Sequence, residues 1–230
     1  MKLLISPMKK TYITIFFSLV CVVALAQIAE KDIPHSFTLE SVRSVKTKKL
    51  PPINQEEIKK REQTFAKHNI KKLLFAHVFD VDISPENSGT LEILPNGDKL
   101  WRIKIVSRNA YSLNFTFGEY HIPAGAKLFL YNTEKTYIKG AFTHRNNKKY
   151  GSLAVAPVKG EEVIVEYFEP AKAAFQGKLR LTKIGHDYKN ILQTIHNQRI
   201  GNCHININCP EGNDWQIEKR AVCKFIISNS

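Results

Sequence analysis

LEILPNGDKLWRIKIV, residues 91–106, decides the fold class. Trp101, Ile103 and Ile105 alternate with Arg102 and Lys104. A period of two sends one set of side chains to each face of a strand, whereas a helix needs apolar residues three or four apart. Leu91 and Ile93 carry the same alternation before Pro95-Asn96-Gly97-Asp98. Asn-Gly at the centre of that break predicts a type I′ hairpin turn, with both residues at positive φ.

The pattern extends in both directions. Upstream, Phe75, His77, Phe79, Val81 and Ile83 alternate, then Ser84 to Gly89 supply turn residues. Downstream, Tyr111, Leu113, Phe115 and Phe117 alternate with Ser112, Asn114 and Thr116. Further strands are expected over 126–131, 137–143, 153–155, 163–168 and 178–184. Helical periodicity is almost absent, so residues 73–184 read as an all-β unit, a β-sandwich rather than a parallel α/β sheet.

On either side the composition shifts. Residues 27–72 read as leader and linker, broken by Pro51-Pro52. A short helix is expected from Asn54 to Asn69, where Glu56, Glu57, Lys59, Lys60 and Arg61 favour helix and pair at i,i+3 and i,i+4. Its apolar face (Ile53, Ile58, Phe65) is thin, so it depends on docking. Residues 185–202 are a polar linker, and 203–230 form another compositional unit. There Cys203, Ile205, Ile207 and Cys209 share one face of a strand, and an apolar strand runs from Ala221 to Ile227. A hairpin-sized piece buries no core of its own, so 203–230 reads as the opening of a longer domain.

The first 26 residues read as a signal peptide. Lys9 and Lys10 precede the apolar run Tyr12 to Leu25, and Ala24-Leu25-Ala26 presents small residues for cleavage between Ala26 and Gln27. That run is short for a membrane span, so no anchor is expected once it is removed. Met8 opens a complete signal by itself, which makes Met1 and Met8 alternative starts. The protein is therefore expected outside the cytoplasm, periplasmic or extracellular.

A net charge of +13 invites a nucleic-acid reading. The basic excess is instead dispersed and mixed with acids, whereas nucleic-acid surfaces concentrate it on one face. A solvated surface suited to an acidic partner is the better account, and no nucleic acid is expected. Of the four cysteines, Cys21 leaves with the signal, and the remainder is odd in number: Cys203, Cys209 and Cys223. In an oxidising compartment that points to partners elsewhere or a free thiol. No cysteine or histidine spacing matches a metal site, and no cofactor is expected.

The segment GNCHININCPEGNDWQIEKRAV, residues 201–222, resembles the start of the catalytic domain in secreted bacterial trypsin-like serine proteases of the lysyl endopeptidase type. Two cysteines with five residues between them, Cys-Pro-Glu-Gly, an acidic residue and Arg-Ala-Val carry the likeness. PENSGTLEILPNGDKLWRIKI, IPAGAKLFLYN, GAFTHRNN and APVKGEEVIVEYFEP resemble the prosegment of such precursors, in the same order. The resemblance implies a β-sandwich prosegment followed by the opening strands of a trypsin-like β-barrel. It implies a parent enzyme that hydrolyses peptides after Lys or Arg, and a prosegment that assists folding and keeps the enzyme inactive. The partners implied are the chain's own catalytic domain and, for the parent, protein or peptide substrates. Processing is expected at Arg199–Ile200, the last basic residue before the motif, with Lys189–Asn190 as the alternative.

No catalytic residue is assigned. The motifs that carry His, Asp and Ser in that family have no counterpart within residues 1–230, and a triad requires all of them to converge. The resemblance also implies that Cys203 and Cys209 each pair with a cysteine beyond Ser230. An extended segment separates their Cα atoms by about 20 Å, whereas a disulfide needs roughly 4.4–6.8 Å. Free buried thiols are the other option, and the pairing of Cys223 stays open.

Several residues tempt a functional reading. His186-Asp187 reads as a surface turn rather than a base and its orienter. Glu161, Glu162, Glu166 and Glu169 read as solvated or loop-end carboxylates rather than a catalytic pair. Trp101, Phe115, Phe117, Tyr131 and Phe168 read as core rather than a sugar platform. A second functional class remains, a secreted β-sandwich module that binds carbohydrate or a cell-surface protein without catalysis.

Overall fold

The computed structural model describes residues 29–68 and 74–193. The expected signal cut at Ala26–Gln27, the processing bond Arg199–Ile200, and Cys203, Cys209 and Cys223 lie outside the described residues. The alternating stretches form β2 (Ala76–Ile83), β3 (Thr90–Ile93), β4 (Lys99–Val106), β5 (Ser112–His121), β6 (Lys127–Asn132), β7 (Ile138–Phe142), β8 (Leu153–Lys159), β9 (Glu162–Glu169) and β10 (Lys178–Asp187). A further strand, β1 (Thr47–Lys49), and one α-helix, α1 (Gln55–Lys67), precede them.

One sheet has the order β1-β4-β9-β6-β7, with β3 also paired to β4, and the other has the order β2-β10-β5-β8. All pairings are antiparallel except β1 with β4. Alternation brings Ile103, Ile105, Leu130 and Val165 from the first sheet into one buried cluster with Phe115, Phe117, Leu181 and Ile184 from the second. The fold is all-β, and its two sheets share one core. Trp101 is buried with them, and its indole N–H donates to the Ser88 carbonyl at 2.6 Å.

The β3–β4 turn departs from the type I′ expectation. Gly97 has φ +86°, but Asn96 is not among the residues with positive φ. The Gly97 N–H donates to the Leu94 carbonyl at 2.8 Å, and the Leu94 N–H to the Asp98 carbonyl at 2.8 Å. Pro95 fixes φ near −65°, so the turn centres on Pro95-Asn96 and glycine alone takes the left-handed position after it.

Residues 29–50, expected as part of a leader, run along the first sheet. Glu30 and Ala141 exchange two backbone hydrogen bonds of 2.9 Å, Lys104 N–H donates to the Lys46 carbonyl at 3.0 Å, and Leu50 N–H donates to Val106 at 2.8 Å. The expected helix forms as α1. Asn54 caps it, its side chain accepting from Glu56 N–H at 3.0 Å and Glu57 N–H at 3.4 Å. Glu56 and Glu57 in the first turn suit the positive end of the helix dipole. The docked stripe is narrow: Ile58 is buried, Glu62 and Phe65 are half-buried, and the remaining helical residues are exposed.

Phe115 is fully buried, whereas Tyr150 is 74% exposed. Phe115→Ala should therefore lower unfolding stability by about 3–5 kcal/mol. Tyr150→Ala should stay within about 0.5 kcal/mol. Urea titrations of the two variants beside the parent check both values.

Candidate functional site

The end of β10 gathers the polar chemistry nearest the expected processing linker. His186 and Asp187 are buried, which overturns the surface-turn reading. The physical reason is pairing. β10 stays in register with β2 and β5 to its last residue, His186 opposite His77 and Leu113, Asp187 opposite Ala76 and Ser112. Both residues are strand residues in the middle of a sheet.

On the core side, His186 Nδ1 and the Ser107 hydroxyl are 2.7 Å apart. His186 Nε2 has no hydrogen-bond partner among the described residues. Burial pushes the imidazole pKa down, the neighbouring His77 adds to this, and the Asp187 charge opposes it. The ring is therefore held neutral. On the other face, Asp187 Oδ2 accepts from the Ser112 hydroxyl at 2.7 Å and the Ile191 N–H at 2.9 Å. Asp187 Oδ1 accepts from the Lys189 N–H at 2.9 Å. Sequence reading missed Ser107 and Ser112 because neither is adjacent to the pair in the chain; only the strand register joins them.

Ser, His and Asp are thus close together, yet the arrangement is not a nucleophilic triad. Ser107, His186 and Asp187 are all sealed from solvent, so no substrate carbonyl reaches the hydroxyl. Alternation turns Asp187 away from the imidazole it would have to orient, and its oxygens are engaged by Ser112 and backbone. This constellation fixes chain direction rather than performing chemistry.

A second buried network lies under residues 29–50. Glu166 is fully buried, not solvated as expected. Its Oε2 accepts from the Tyr131 hydroxyl at 2.8 Å and the Ser36 hydroxyl at 2.5 Å, and its Oε1 from the Ser36 N–H at 3.1 Å. Burial and the Glu166 charge raise the Tyr131 pKa. Glu169 is also buried. Burial alone would raise its pKa, but donors from Gly177 N–H, Tyr167 and Lys99 outweigh that and hold the carboxyl below its ordinary value. Glu162 pairs with Lys104 at 3.1 Å, and Glu161 accepts from the Asn109 N–H at 2.8 Å. Each of these carboxylates has structural partners.

The aromatic set is mostly interior. Trp101, Phe115, Phe117 and Tyr131 are buried, and His35 stacks on Phe168 at 4.2 Å. Open clefts occur among the described residues. One, of about 720 Å³, is bordered by Lys49, Lys104, Arg108, Glu161 and Glu162, a mixed-charge rim. Another, of about 350 Å³, separates Ile58 and Arg61 of α1 from His77 and Tyr188. Among the described residues no three His, Cys, Asp or Glu side chains converge as metal ligands, and no helix is long and apolar enough to cross a membrane. No protein-family model matches the chain, and no solved structure matches it.

Because the native pKa of His186 lies below its ordinary value, the unfolded chain takes up a proton first as pH falls. The contribution is present above about pH 6.5 and lost below it, with a slope of at most about 1.4 kcal/mol per pH unit for one proton. The melting temperature should fall from pH 7.5 to pH 5.0. His186→Gln should flatten that dependence, and equal slopes in both proteins would contradict the assignment.

Proposed function

We propose that residues 27 to about 199 are the β-sandwich prosegment of a secreted serine endopeptidase, released at Arg199–Ile200 after the signal is cut at Ala26–Gln27. The observation that carries the reading is the order of the elements: among the described residues Asp187 ends the final strand, β10, and Ile191 is the last one buried, and the polar stretch containing Arg199 comes after them in the sequence. Arg199 comes later in the sequence than every residue described as buried.

Two further observations support the reading over a sugar-binding module. The aromatic side chains suited to a platform are largely spent on the core. The Thr47–Lys49 strand is exposed along its length and follows Lys46, giving a basic edge suited to an acidic partner surface. The thin-faced α1, which depends on docking, finds its partner in the described body itself, through Ile58 and an ion pair of 2.5 Å between Glu62 and Lys189. The parent's chemistry, peptide hydrolysis by a Ser/His/Asp triad beyond residue 230, comes from the resemblance alone.

N-terminal sequencing of the mature enzyme secreted from the whole gene tests this. The expected first residue is Ile200, and Arg199→Gln should block or displace processing. A mature terminus inside residues 29–187 would refute the reading. Purified chain 1–230 should show no peptide hydrolysis, and turnover abolished by a serine-directed inhibitor would count against the absence of a triad here. Residues 27–199 added in trans at micromolar concentration should slow the mature enzyme.

A further inference from the structure

We infer that Asp187 clamps the chain just beyond β10 and withholds the Lys189–Asn190 bond from proteolysis, so that cleavage after a basic residue is directed past residue 193. The inference takes its biological sense from the processing reading above, but its geometry does not depend on it.

A protease that reads a basic side chain must draw that side chain into a pocket and hold several flanking residues extended. Lys189 is exposed, so exposure alone would make it a good target. Its surroundings deny it the conformation. The Lys189 N–H donates to Asp187 Oδ1, and the Ile191 N–H, on the far side of the bond, donates to Asp187 Oδ2. One carboxylate therefore bridges both sides of the scissile position and folds the chain into a turn. Asn190 has φ +52°, a left-handed conformation that an extended substrate cannot keep. Its side-chain amide donates to Gln193 Oε1 at 2.6 Å. Ile191 is buried, and extending the chain would pull it from its packing.

The lysine head group is held as well. Its Nζ lies 2.5 Å from Glu62 Oε1 on α1 and 5.8 Å from the centre of the Tyr188 ring. The clamp is in turn braced by the Ser112 hydroxyl on Asp187 and by the register of β10 between β2 and β5. Cutting at Lys189 requires local unfolding of the turn and of the α1 contact together. In sequence Lys189–Asn190 stands as the alternative to Arg199–Ile200, because both bonds follow a basic residue in a polar stretch.

The test is limited digestion of the full chain with an added lysine-specific endopeptidase, following cleavage after Lys189 and after Lys172 by mass spectrometry. Lys172 is exposed on the β9–β10 connection and serves as an internal reference. In the parent chain, cleavage after Lys189 should be at least tenfold slower than after Lys172. Asp187→Ala should raise the Lys189 rate at least tenfold and leave the Lys172 rate unchanged. Should Asp187→Ala fail to fold, Ser112→Ala and Glu62→Gln carry the test, each raising the Lys189 rate severalfold at an unchanged melting temperature. Equal rates at the two sites in the parent, a parallel rise at both sites in the variant, or no change in the milder variants would overturn the clamp. Because the protease is supplied from outside, failure here would leave the sequencing result at Arg199–Ile200 untouched, and the reverse also holds.

Discussion

Strand β4 sets the constraint on which the first sheet depends. Its residues from Leu100 to Ile103, and Ile105, are buried, so its backbone N–H and C=O groups must find protein partners on both edges. β9 covers one edge along the full length, from Lys99 to Val106. β3 is short and covers only Lys99 to Arg102 on the other. The remainder is filled by the chain's own leader, β1 against Lys104 to Val106, with Leu50 continuing the ladder. Without residues 46–50 a run of β4 peptide groups would lack those bonds, each worth about 0.5–1.5 kcal/mol net and more to leave unmade.

Once that edge is taken, the leader's path over the outer face follows. Arg102, whose side chain lies on that face, donates to the Arg43 carbonyl at 2.9 Å and pairs with Glu92 at 3.4 Å. Further back, Ser36 meets the Glu166 carboxylate on β9 and Phe37 packs edge-on against Tyr131, with the ring centres 4.9 Å apart. A buried carboxylate is tolerable only where donors satisfy it, and two of the three donated to Glu166 come from Ser36. The strap is thus a structural layer whose polar contacts fix its register, since a shift of one residue would strand Glu166. Any partner engaged by this region meets residues 29–50 as part of a folded surface.

How much of this was legible in sequence varies with the range of the interaction. Alternation at Trp101-Ile103-Ile105 and Leu113-Phe115-Phe117 located β4 and β5 and their inward faces, because a period of two is a local property. The α1 helix was legible from Asn54 and its charge spacing. The turn type was missed because Pro95 pre-empts the Asn-Gly pair. The burial of Glu166, His186 and Asp187 was missed for a different reason. Each looks solvated until a segment from far along the chain covers it: Ser36 for Glu166, Ser107 and β2 for His186, Ser112 for Asp187. The leader was illegible for the same reason, since Thr47-Lys48-Lys49 has no apolar pattern and is recruited by the unfilled edge of β4. The expected processing and cysteine residues lie outside the described residues, which end at residue 193, after the chain leaves β10.

That exit makes the end of β10 the point where stability meets the proposed processing. A cut placed within the last strand would remove Ile184 from the core and leave His186 and Asp187 without their ladder. A cut beyond Ile191 leaves every one of those contacts in place. β10 is pinned on both faces, by His186 on the core side and Asp187 on the other, which is what the proposed prosegment role asks of the strand before the cut. The core-side pin weakens in mild acid, because the unfolded chain then takes up a proton that the buried His186 ring resists. The seating of the strand on the core and the turn over Lys189 thus rest on separate groups of adjacent residues, the His186 ring on Ser107 and the Asp187 carboxylate on the Lys189 and Ile191 N–H groups.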